Sequence, residues 1–219
     1  MKNTYIDFHC HIRDKSSVDE IIQLNFFTDI KKSVICSGNM LDSSRIGDFL
    51  RGSHPINTLT PNNDLILDIY KYNPEYFYPF FTIDPDYHIV EDILNALNKG
   101  FCGLKLNPII HNVDFSSSSL LEILESVKDK TIPIYTHITL SKESNLESLL
   151  QLSKKFENLL FIIGHMGFST SDFSAIDACE RRKNIYLETS IGSRLAFLEI
   201  KKRDMVSKLI FGSEYPLHD

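Results

Sequence analysis

At 219 residues, the chain is longer than a typical single domain but lies within the range that barrels and sandwiches occupy as one folding unit. Its hydrophobic fraction of 42% and charged fraction of 24% are those of an ordinary globular protein and argue against disorder. The net charge of -6, without a long basic run, makes nucleic acid a poor candidate partner. We therefore expect one domain spanning residues 1–219.

The start of the sequence and its cysteines bear on the compartment. Residues 1–8 lead into a strand pattern rather than a basic and then apolar leader, and no apolar run is long enough to span a bilayer. The cysteines lie far apart without a CxxC pair, which indicates reduced thiols that pack as small buried hydrophobic residues. They are Cys10, Cys36, Cys102 and Cys179. A cytoplasmic protein without membrane contact is expected.

Eight strand-like runs alternate with seven amphipathic helical segments, which is the pattern of a parallel sheet with crossover helices. The predicted strands cover residues 4–12, 33–38, 77–84, 102–108, 132–138, 159–167, 184–190 and 208–216. The predicted helices cover residues 17–30, 64–72, 89–99, 119–130, 145–156, 173–182 and 194–203. Residues 39–63 form the longest weakly patterned connection and are a candidate lid or binding loop.

Strands and helices in this order could form a closed barrel or an open doubly wound sheet. The chemically interesting residues lie at the ends of strands one, five, six and eight, and only closure brings the first and the eighth together. The first strand is not followed by a GxGxxG turn, so a dinucleotide-binding sheet loses its main support. We therefore predict a (β/α)8 barrel of TIM type that lacks an eighth helix. A second subunit, making a homo-oligomer, or the 39–63 segment would cover the seam between strands eight and one.

Histidines at strand ends predict a metal site. His9 and His11 lie two residues apart in the first strand, so their side chains should point to the same face and hold one ion together. His137 closes the fifth strand, His165 the sixth and Glu214 the eighth. An isolated strand histidine is more often a core or capping residue, but four imidazoles and a carboxylate at one barrel mouth indicate a divalent metal.

Five segments of the sequence resemble the amidohydrolase superfamily, in particular its amidohydrolase-related branch, which also contains metal-dependent decarboxylases. In chain order they are IDFHCHI, GLKLNP, YTHI, IIGHMG and FGSEYP. The resemblance extends over nearly the whole chain and implies a distorted (β/α)8 barrel. It also implies that His9, His11 and His137 are metal ligands and that His165 lies close to the reacting group.

The sequence departs from the family pattern at the end of the eighth strand. The family has an aspartate there that binds or faces the metal and shuttles the proton of the attacking water, whereas this chain has Glu214. The additional methylene moves the carboxylate by about one C–C bond, and catalytic geometry is sensitive to such distances. A second departure is Asn107, where many relatives have histidine in the turn after the fourth strand.

Lys105 is expected to point toward the barrel axis, because Leu104 and Leu106 alternate toward the helix layer. A buried ammonium group needs a partner, and an internal ion pair with Asp7 or Glu188 is the favoured interpretation. In other branches of the superfamily a strand-four lysine becomes carboxylated and bridges two metals, so a binuclear site is the alternative. Asp7, on the face of His9, and Glu188 are expected to support the ligands.

The remaining polar residues are candidate substrate contacts or surface groups. Asp84 and Glu188, at the ends of strands three and seven, are candidates either for supporting the ligands or for contacting substrate. Arg13 and Arg194, which follow strands one and seven, are candidates for holding a substrate carboxylate. Four histidines show no ligand spacing and are expected at the surface, unless one of the pair His54 and His111 lines the mouth: His54, His88, His111 and His218.

The expected reaction is hydrolysis of an amide, ester or lactone-like bond in a small molecule. One Zn²⁺, with Mn²⁺ as the alternative, would activate the attacking water. Glu214 would take the proton of that water and pass it to the leaving group, and His165 would stabilise charge on the carbonyl oxygen. Two alternatives stay open: non-oxidative decarboxylation at the same site, and a barrel that has lost catalysis and serves as a metal-binding scaffold.

Overall fold

Eight parallel strands follow one another in sequence order around a barrel in the computed structural model. The structure describes residues 4–38, 60–111, 113–169 and 171–216. The strands are β1 (Tyr5–Ile12), β2 (Ile30–Ser37), β3 (Phe77–Ile83), β4 (Gly103–Leu106), β5 (Pro133–Thr136), β6 (Leu160–Ile163), β7 (Ile185–Glu188) and β8 (Leu209–Ile210). The predicted barrel of TIM type is confirmed.

Helices connect consecutive strands and form the outer layer. They are α1 (Ser16–Phe27), α2 (Asn63–Tyr72), α3 (Val90–Lys99), α4 (Pro108–His111), α5 (Ser118–Val127), α6 (Leu146–Lys155), α7 (Phe173–Arg181) and α8 (Arg194–Lys202). Several begin at a side chain that accepts a hydrogen bond from the first turn, such as Ser117 before α5 and Asn145 before α6. The seven predicted helices are present, and α4 is a short addition. Within the described ranges, no helix is long and apolar enough to cross a membrane.

The barrel closes where the chain after β8 meets β1. The predicted strand over 208–216 is shorter than expected, because from Phe211 onward the backbone bonds to β1 instead of continuing the ladder with β7. Phe8 N donates to Phe211 O, Glu214 N to His9 O, and His11 N to Tyr215 O, each at 2.8 Å. These bonds fix Glu214 directly beside the two histidines of β1.

The buried apolar residues form two clusters, one on each side of the barrel strands. The larger one lies between the strands and the helices and includes Leu104 and Leu106. The smaller one consists of residues that point to the axis: Val34, Cys36, Phe80, Tyr135 and Ile162. Lys105 is buried on the axis side, so the predicted alternation along β4 is confirmed. Gly103 faces the same interior, where a Cβ atom would lie 2.3 Å from the ring of Phe80.

Truncation of the outer cluster should cost stability. Leu124 on α5 is fully buried, and Leu124→Ala is expected to lower the free energy of unfolding by about 2–5 kcal/mol through lost transfer energy and a residual cavity. Leu140 is 77% exposed, and Leu140→Ala is expected to change stability by less than about 0.5 kcal/mol. Denaturant unfolding of both variants checks the difference, and equal effects would contradict the assignment of the core.

The seam between β8 and β1 is the face where the sequence predicts a missing eighth helix. Within the described ranges no helix follows β8. Phe211 is 48% exposed there, and Leu24 on the neighbouring helix α1 is 45% exposed. A cavity of about 250 Å³, lined by Leu24 and Tyr215, lies between α1 and the segment after β8. That a second subunit covers this seam stays a prediction. The other predicted cover was the 39–63 segment, of which residues 39–59 lie outside the described residues.

Candidate metal centre

An irregularity in β1 turns two consecutive side chains into the barrel. The register of β1 against β2 shifts between Asp7 and Cys10, as in a β-bulge. Phe8 then packs edge-on against the Phe80 ring with centroids 5.3 Å apart, and His9 lies 4.3 Å from the ring of Tyr135. The bulge therefore lets the side chains of Phe8 and His9 both face the interior, whereas the alternation expected from the sequence points consecutive side chains to opposite faces.

Asp7 faces the outer cavity at the seam, which Cys10 also lines, so the expectation that it shares the face of His9 is wrong. Its Oδ1 accepts hydrogen bonds from the backbone N of His9, at 3.1 Å, and of Ser213, at 2.9 Å. The physical reason is the register shift, which changes the parity of the strand. Asp7 therefore fastens β1 to the segment after β8.

The two imidazoles of β1 meet the ammonium group of Lys105. His9 Nε2 and His11 Nε2 are 2.9 Å apart, and Lys105 Nζ lies 2.9 Å from the first and 3.2 Å from the second. Burial, followed by the charge of Lys105, holds the pKa of both histidines well below the usual range, so both rings are neutral. The ion pair expected between Lys105 and Asp7 or Glu188 is wrong, because the lysine side chain reaches the imidazoles instead.

Glu188 supports His9 through an intervening tyrosine. The hydroxyl of Tyr135 donates to Glu188 Oε2 at 2.9 Å, and its oxygen lies 2.7 Å from His9 Nδ1. Because the only hydroxyl proton goes to Glu188, His9 Nδ1 donates to Tyr135, which leaves the lone pair of the ring on Nε2. Burial, followed by Glu188, raises the pKa of Tyr135 well above its usual value, so the phenol stays protonated.

His165 and Glu214 lie in contact with each other beside the imidazoles of β1. His165 Nδ1 lies 2.7 Å from Glu214 Oε2 and 2.8 Å from Ser190 Oγ. The Glu214 carboxylate is also 3.7 Å from His9 Nδ1 and 3.9 Å from His11 Nε2. Burial raises the pKa of Glu214 to about 7; Lys105 acts in the opposite direction.

Both members of this pair have a left-handed backbone. His165 has φ of 60° and Glu214 has φ of 59°, a region that residues with a Cβ atom rarely adopt. His165 lies in a 3₁₀ turn, Gly164–Met166, that ends the predicted strand 159–167 early. Strained backbone of this kind concentrates at functional sites, where the surrounding structure holds it in place.

His137 lies beside this group. Its ring stacks on His165 with centroids 4.8 Å apart and is 6.0 Å from the ring of His9. Its Nδ1 is 3.4 Å from Asn107 Oδ1, an acceptor, so Nδ1 donates and the lone pair lies on Nε2. That Nε2 is buried and has no hydrogen-bond partner among the described residues. Burial, with His165 next, holds the pKa of His137 well below the usual range.

Two sets of side chains bring their ligand atoms within 4.8 Å of one another in the described part of the chain. They are His9, His11 and Cys36, and His9, His165 and Glu214. The structure thus gathers most of the sequence-predicted residues around His9, and it adds Cys36. Among the predicted ligands, His137 is outside both sets.

The donor atoms fit a divalent ion. Two nitrogens at bonding distance from one zinc ion lie roughly 3–3.4 Å apart, close to the 2.9 Å between His9 Nε2 and His11 Nε2. In this structure the ammonium group of Lys105 contacts both nitrogens, at 2.9 and 3.2 Å, so a divalent ion would take the place of that cation. The orphaned Nε2 of His137 and the nearby carboxylate of Glu214 provide further donors.

Sequence reasoning missed three polar participants: Cys36, Tyr135 and Ser190. Strand periodicity could have found Tyr135, which precedes His137, directly after β5, by two residues. Cys36 pairs with His11 across β1 and β2, and local periodicity does not give that register. Ser190, which donates from N and Oγ to Glu188, gave no sequence signal.

Two histidines expected at the surface are buried, and that expectation is wrong for them. His88 accepts at Nδ1 from the backbone N of Asp84, 3.0 Å away, and packs against Phe81, because the turn after β3 folds back on the barrel. His111 is buried at the end of α4, where its backbone N bonds to Asn107 O. Arg13 and Arg194 are exposed, and Asp84 shapes the turn with His88. His54 and His218 lie outside the described residues.

Comparison with known proteins gives a family and a fold. The family model described as Amidohydrolase matches residues 6–219. An uncharacterised TIM-barrel protein from Bordetella bronchiseptica is 15% identical with a TM-score of 0.71, and the match covers 99% of this chain and 87% of that one. A search of curated proteins found no similar sequence.

Two solved structures with printed activities are also similar. A probable 2-pyrone-4,6-dicarboxylic acid hydrolase from Acinetobacter baumannii is 16% identical with a TM-score of 0.70, covering 98% of this chain and 85% of that one. The 5-carboxyvanillate decarboxylase from Sphingomonas paucimobilis is 13% identical with a TM-score of 0.64, covering 99% and 90%. At these identities the likeness shows the fold.

Proposed function

We propose, from the premise that the chain belongs to the amidohydrolase family, that it is a metal-dependent hydrolase of an amide, ester or lactone-like bond in a small molecule. One observation carries the proposal. Neutral imidazoles from β1, the His165 ring and the Glu214 carboxylate converge at the C-terminal ends of the strands, where barrels of this type place their active sites.

His9, His11, His137 and Glu214 are the side chains that would hold the ion. Zn²⁺ is our first choice, and Mn²⁺ is the alternative, because a 5-carboxyvanillate decarboxylase from Novosphingobium aromaticivorans, 12% identical with a TM-score of 0.65, has manganese bound. One ion per chain is proposed. The bound ion would supply a Lewis acid for the carbonyl group and a water whose pKa is lowered toward about 7.

The protein's own groups would then handle the proton. Glu214 would accept a proton at its carboxylate and deliver it to the leaving group. Its Oε2 lies 2.7 Å from His165 Nδ1 and accepts a hydrogen bond from Ser190 Oγ at 3.3 Å, and these contacts hold the carboxylate in one orientation. His165, the more exposed of the two, would stabilise negative charge on the carbonyl oxygen of the substrate. Glu188 and Tyr135 would keep His9 in the tautomer that presents Nε2.

The same proposal covers the cellular setting. A small-molecule substrate, one domain over residues 1–219 and a cytoplasmic location, without nucleic acid or membrane, agree with the charge of -6 and the four free cysteines.

Decarboxylation is the second candidate, because three of the similar structures are 5-carboxyvanillate decarboxylases. Release of CO₂ from aromatic acids without consumption of water would favour it over hydrolysis. A folded protein that takes up neither zinc nor manganese would instead indicate a barrel that has lost catalysis.

Removal of the metal tests the hydrolase proposal. The purified protein is expected to contain one divalent ion per chain by elemental analysis. Dialysis against a chelator should abolish turnover of a panel of lactones, esters and amides, and added Zn²⁺ or Mn²⁺ should restore it. The far-UV circular dichroism spectrum of the stripped protein serves as the control for folding. Turnover that survives complete removal of the ion would overturn the mechanism.

A further inference from the structure

We propose that Cys36 binds the catalytic ion through its sulfur, beside His9 and His11, so that the centre is a soft nitrogen and sulfur site. This inference rests on the proposed function, because it names a further ligand for the same ion. The alternative is that Cys36 is a buried thiol that packs in the barrel interior and binds no metal.

Register places the cysteine next to the ligands. In the parallel pairing of β1 with β2, the Cα partner of His11 is Cys36. Paired residues of neighbouring strands point to the same face of a sheet, so Cys36 faces the axis with His11. The thiol is buried, and its Sγ lies 4.0 Å from His11 Nδ1 and 3.5 Å from the carbonyl oxygen of Cys10.

The ammonium group of Lys105 marks the point on which the donors converge. Its Nζ lies 3.3 Å from Cys36 Sγ, in addition to its contacts with His9 Nε2 and His11 Nε2. An ammonium group carries three N–H donors and no acceptor, so each contact uses a lone pair of the other atom. Two nitrogen lone pairs and one sulfur lone pair therefore point at one cation. A metal ion held by His9, His11 and Cys36 would take the place of the Lys105 ammonium group at these three atoms.

A separate observation extends the donor set. The buried Nε2 of His137 has no hydrogen-bond partner in the described ranges, and its ring lies 6.0 Å from that of His9. Imidazole nitrogens and thiolate sulfurs are the usual donors to zinc, with Zn–N near 2.0–2.1 Å and Zn–S near 2.3 Å. The interior of this barrel holds donors of both kinds on β1, on β2 and directly after β5.

Sulfur in the donor set has a consequence for metal preference. Thiolates favour zinc and cobalt over manganese, which prefers oxygen ligands. Cys36→Ser is therefore expected to weaken Zn²⁺ binding by roughly tenfold or more. Even the loss of a residue that only hydrogen-bonds to a ligand lowers metal affinity by about 10–100-fold. Binding of Mn²⁺ should change by less than about threefold, because a hydroxyl replaces a ligand that manganese uses poorly.

Cobalt substitution gives a direct readout of the sulfur ligand. The full-length protein is stripped of metal, titrated with Co²⁺, and followed by ultraviolet and visible absorption, with cobalt stoichiometry measured in parallel. A thiolate-to-cobalt charge-transfer band in the near ultraviolet is expected for the wild type. It is also expected for Cys102→Ser, because the sulfur of Cys102 in the wild type contacts Pro79 O and none of the proposed ligands. The band should be absent in Cys36→Ser while that variant still binds Co²⁺.

The outcomes separate the two proposals. A wild type that binds one Co²⁺ without the band would overturn the role of Cys36 and leave the hydrolase proposal standing. A wild type that binds no metal would overturn the proposed function itself. If Cys36→Ser fails to fold, the band in wild type, retained in Cys10→Ser, Cys102→Ser and Cys179→Ser, assigns the sulfur to Cys36. Loss of the band in one of those three would contradict the assignment.

Discussion

Glu214→Gln is expected to lower kcat/KM by about 10²–10⁴-fold on the substrate identified from the panel, because the amide cannot accept the proton of the attacking water. The substitution keeps the size of the side chain, and the amide oxygen can still face His165 Nδ1, which now lies 2.7 Å from the carboxylate. Steady-state kinetics of the metal-loaded variant, with the ion content measured on the same sample, check the result.

Matched variants separate chemistry from general damage. Glu147→Gln removes an exposed acidic group from the outer helix α6, where its carboxylate contacts Gln151, and should leave kcat/KM within about twofold of the wild type. Glu214→Asp restores the residue of the family pattern and should keep more activity than Glu214→Gln. A fully metal-loaded Glu214→Gln variant with wild-type turnover would remove Glu214 from the proton-transfer step.

Tyr135→Phe is expected to weaken metal binding by about 10–100-fold, because the hydroxyl links His9 to Glu188 and fixes the tautomer of the ring. Without the hydroxyl, the buried Nδ1 of His9 loses its partner at 2.7 Å, and the ring can present a proton instead of a lone pair to the ion. Competition with a chromophoric chelator measures the Kd for Zn²⁺.

The control for this variant is Tyr186→Phe. The Tyr186 ring packs against the same interior cluster, but the charged group that lies over the ring is the ammonium of Lys208. Its Kd for Zn²⁺ should equal that of the wild type. Equal Kd values for Tyr135→Phe and the wild type would show that the tyrosine does not orient His9.

The order of strands and helices was predictable because each element carries its own periodicity. Leu104 and Leu106 on either side of Lys105 were enough to assign both faces of β4. Strand ends were less predictable, since they depend on backbone partners that local patterns do not encode. The early end of β8 follows from the bonds between Phe211 and Phe8, which are distant in sequence.

The site was predictable in its main residues and not in their partners. Strand-end position alone placed His165 and Glu214 near each other, and the structure joins them at 2.7 Å. The bulge in β1, which turns Asp7 outward, has no signature in the apolar and polar pattern. The contacts of Lys105 depend on the register between β1 and β2, which a single sequence does not give.

The closure of the barrel by residues 211–215 has a consequence for biosynthesis. Asp7 and Ser213, 206 positions apart, are joined by a hydrogen bond, so this closing contact can form only after almost all of this sequence has been translated, whereas the pairing of β1 with β2 needs only its first 37 residues. A nascent chain can present the imidazoles of β1 to cellular metal well before Glu214 exists. The ion proposed for this site would therefore meet Glu214 only when the last segment docks against β1.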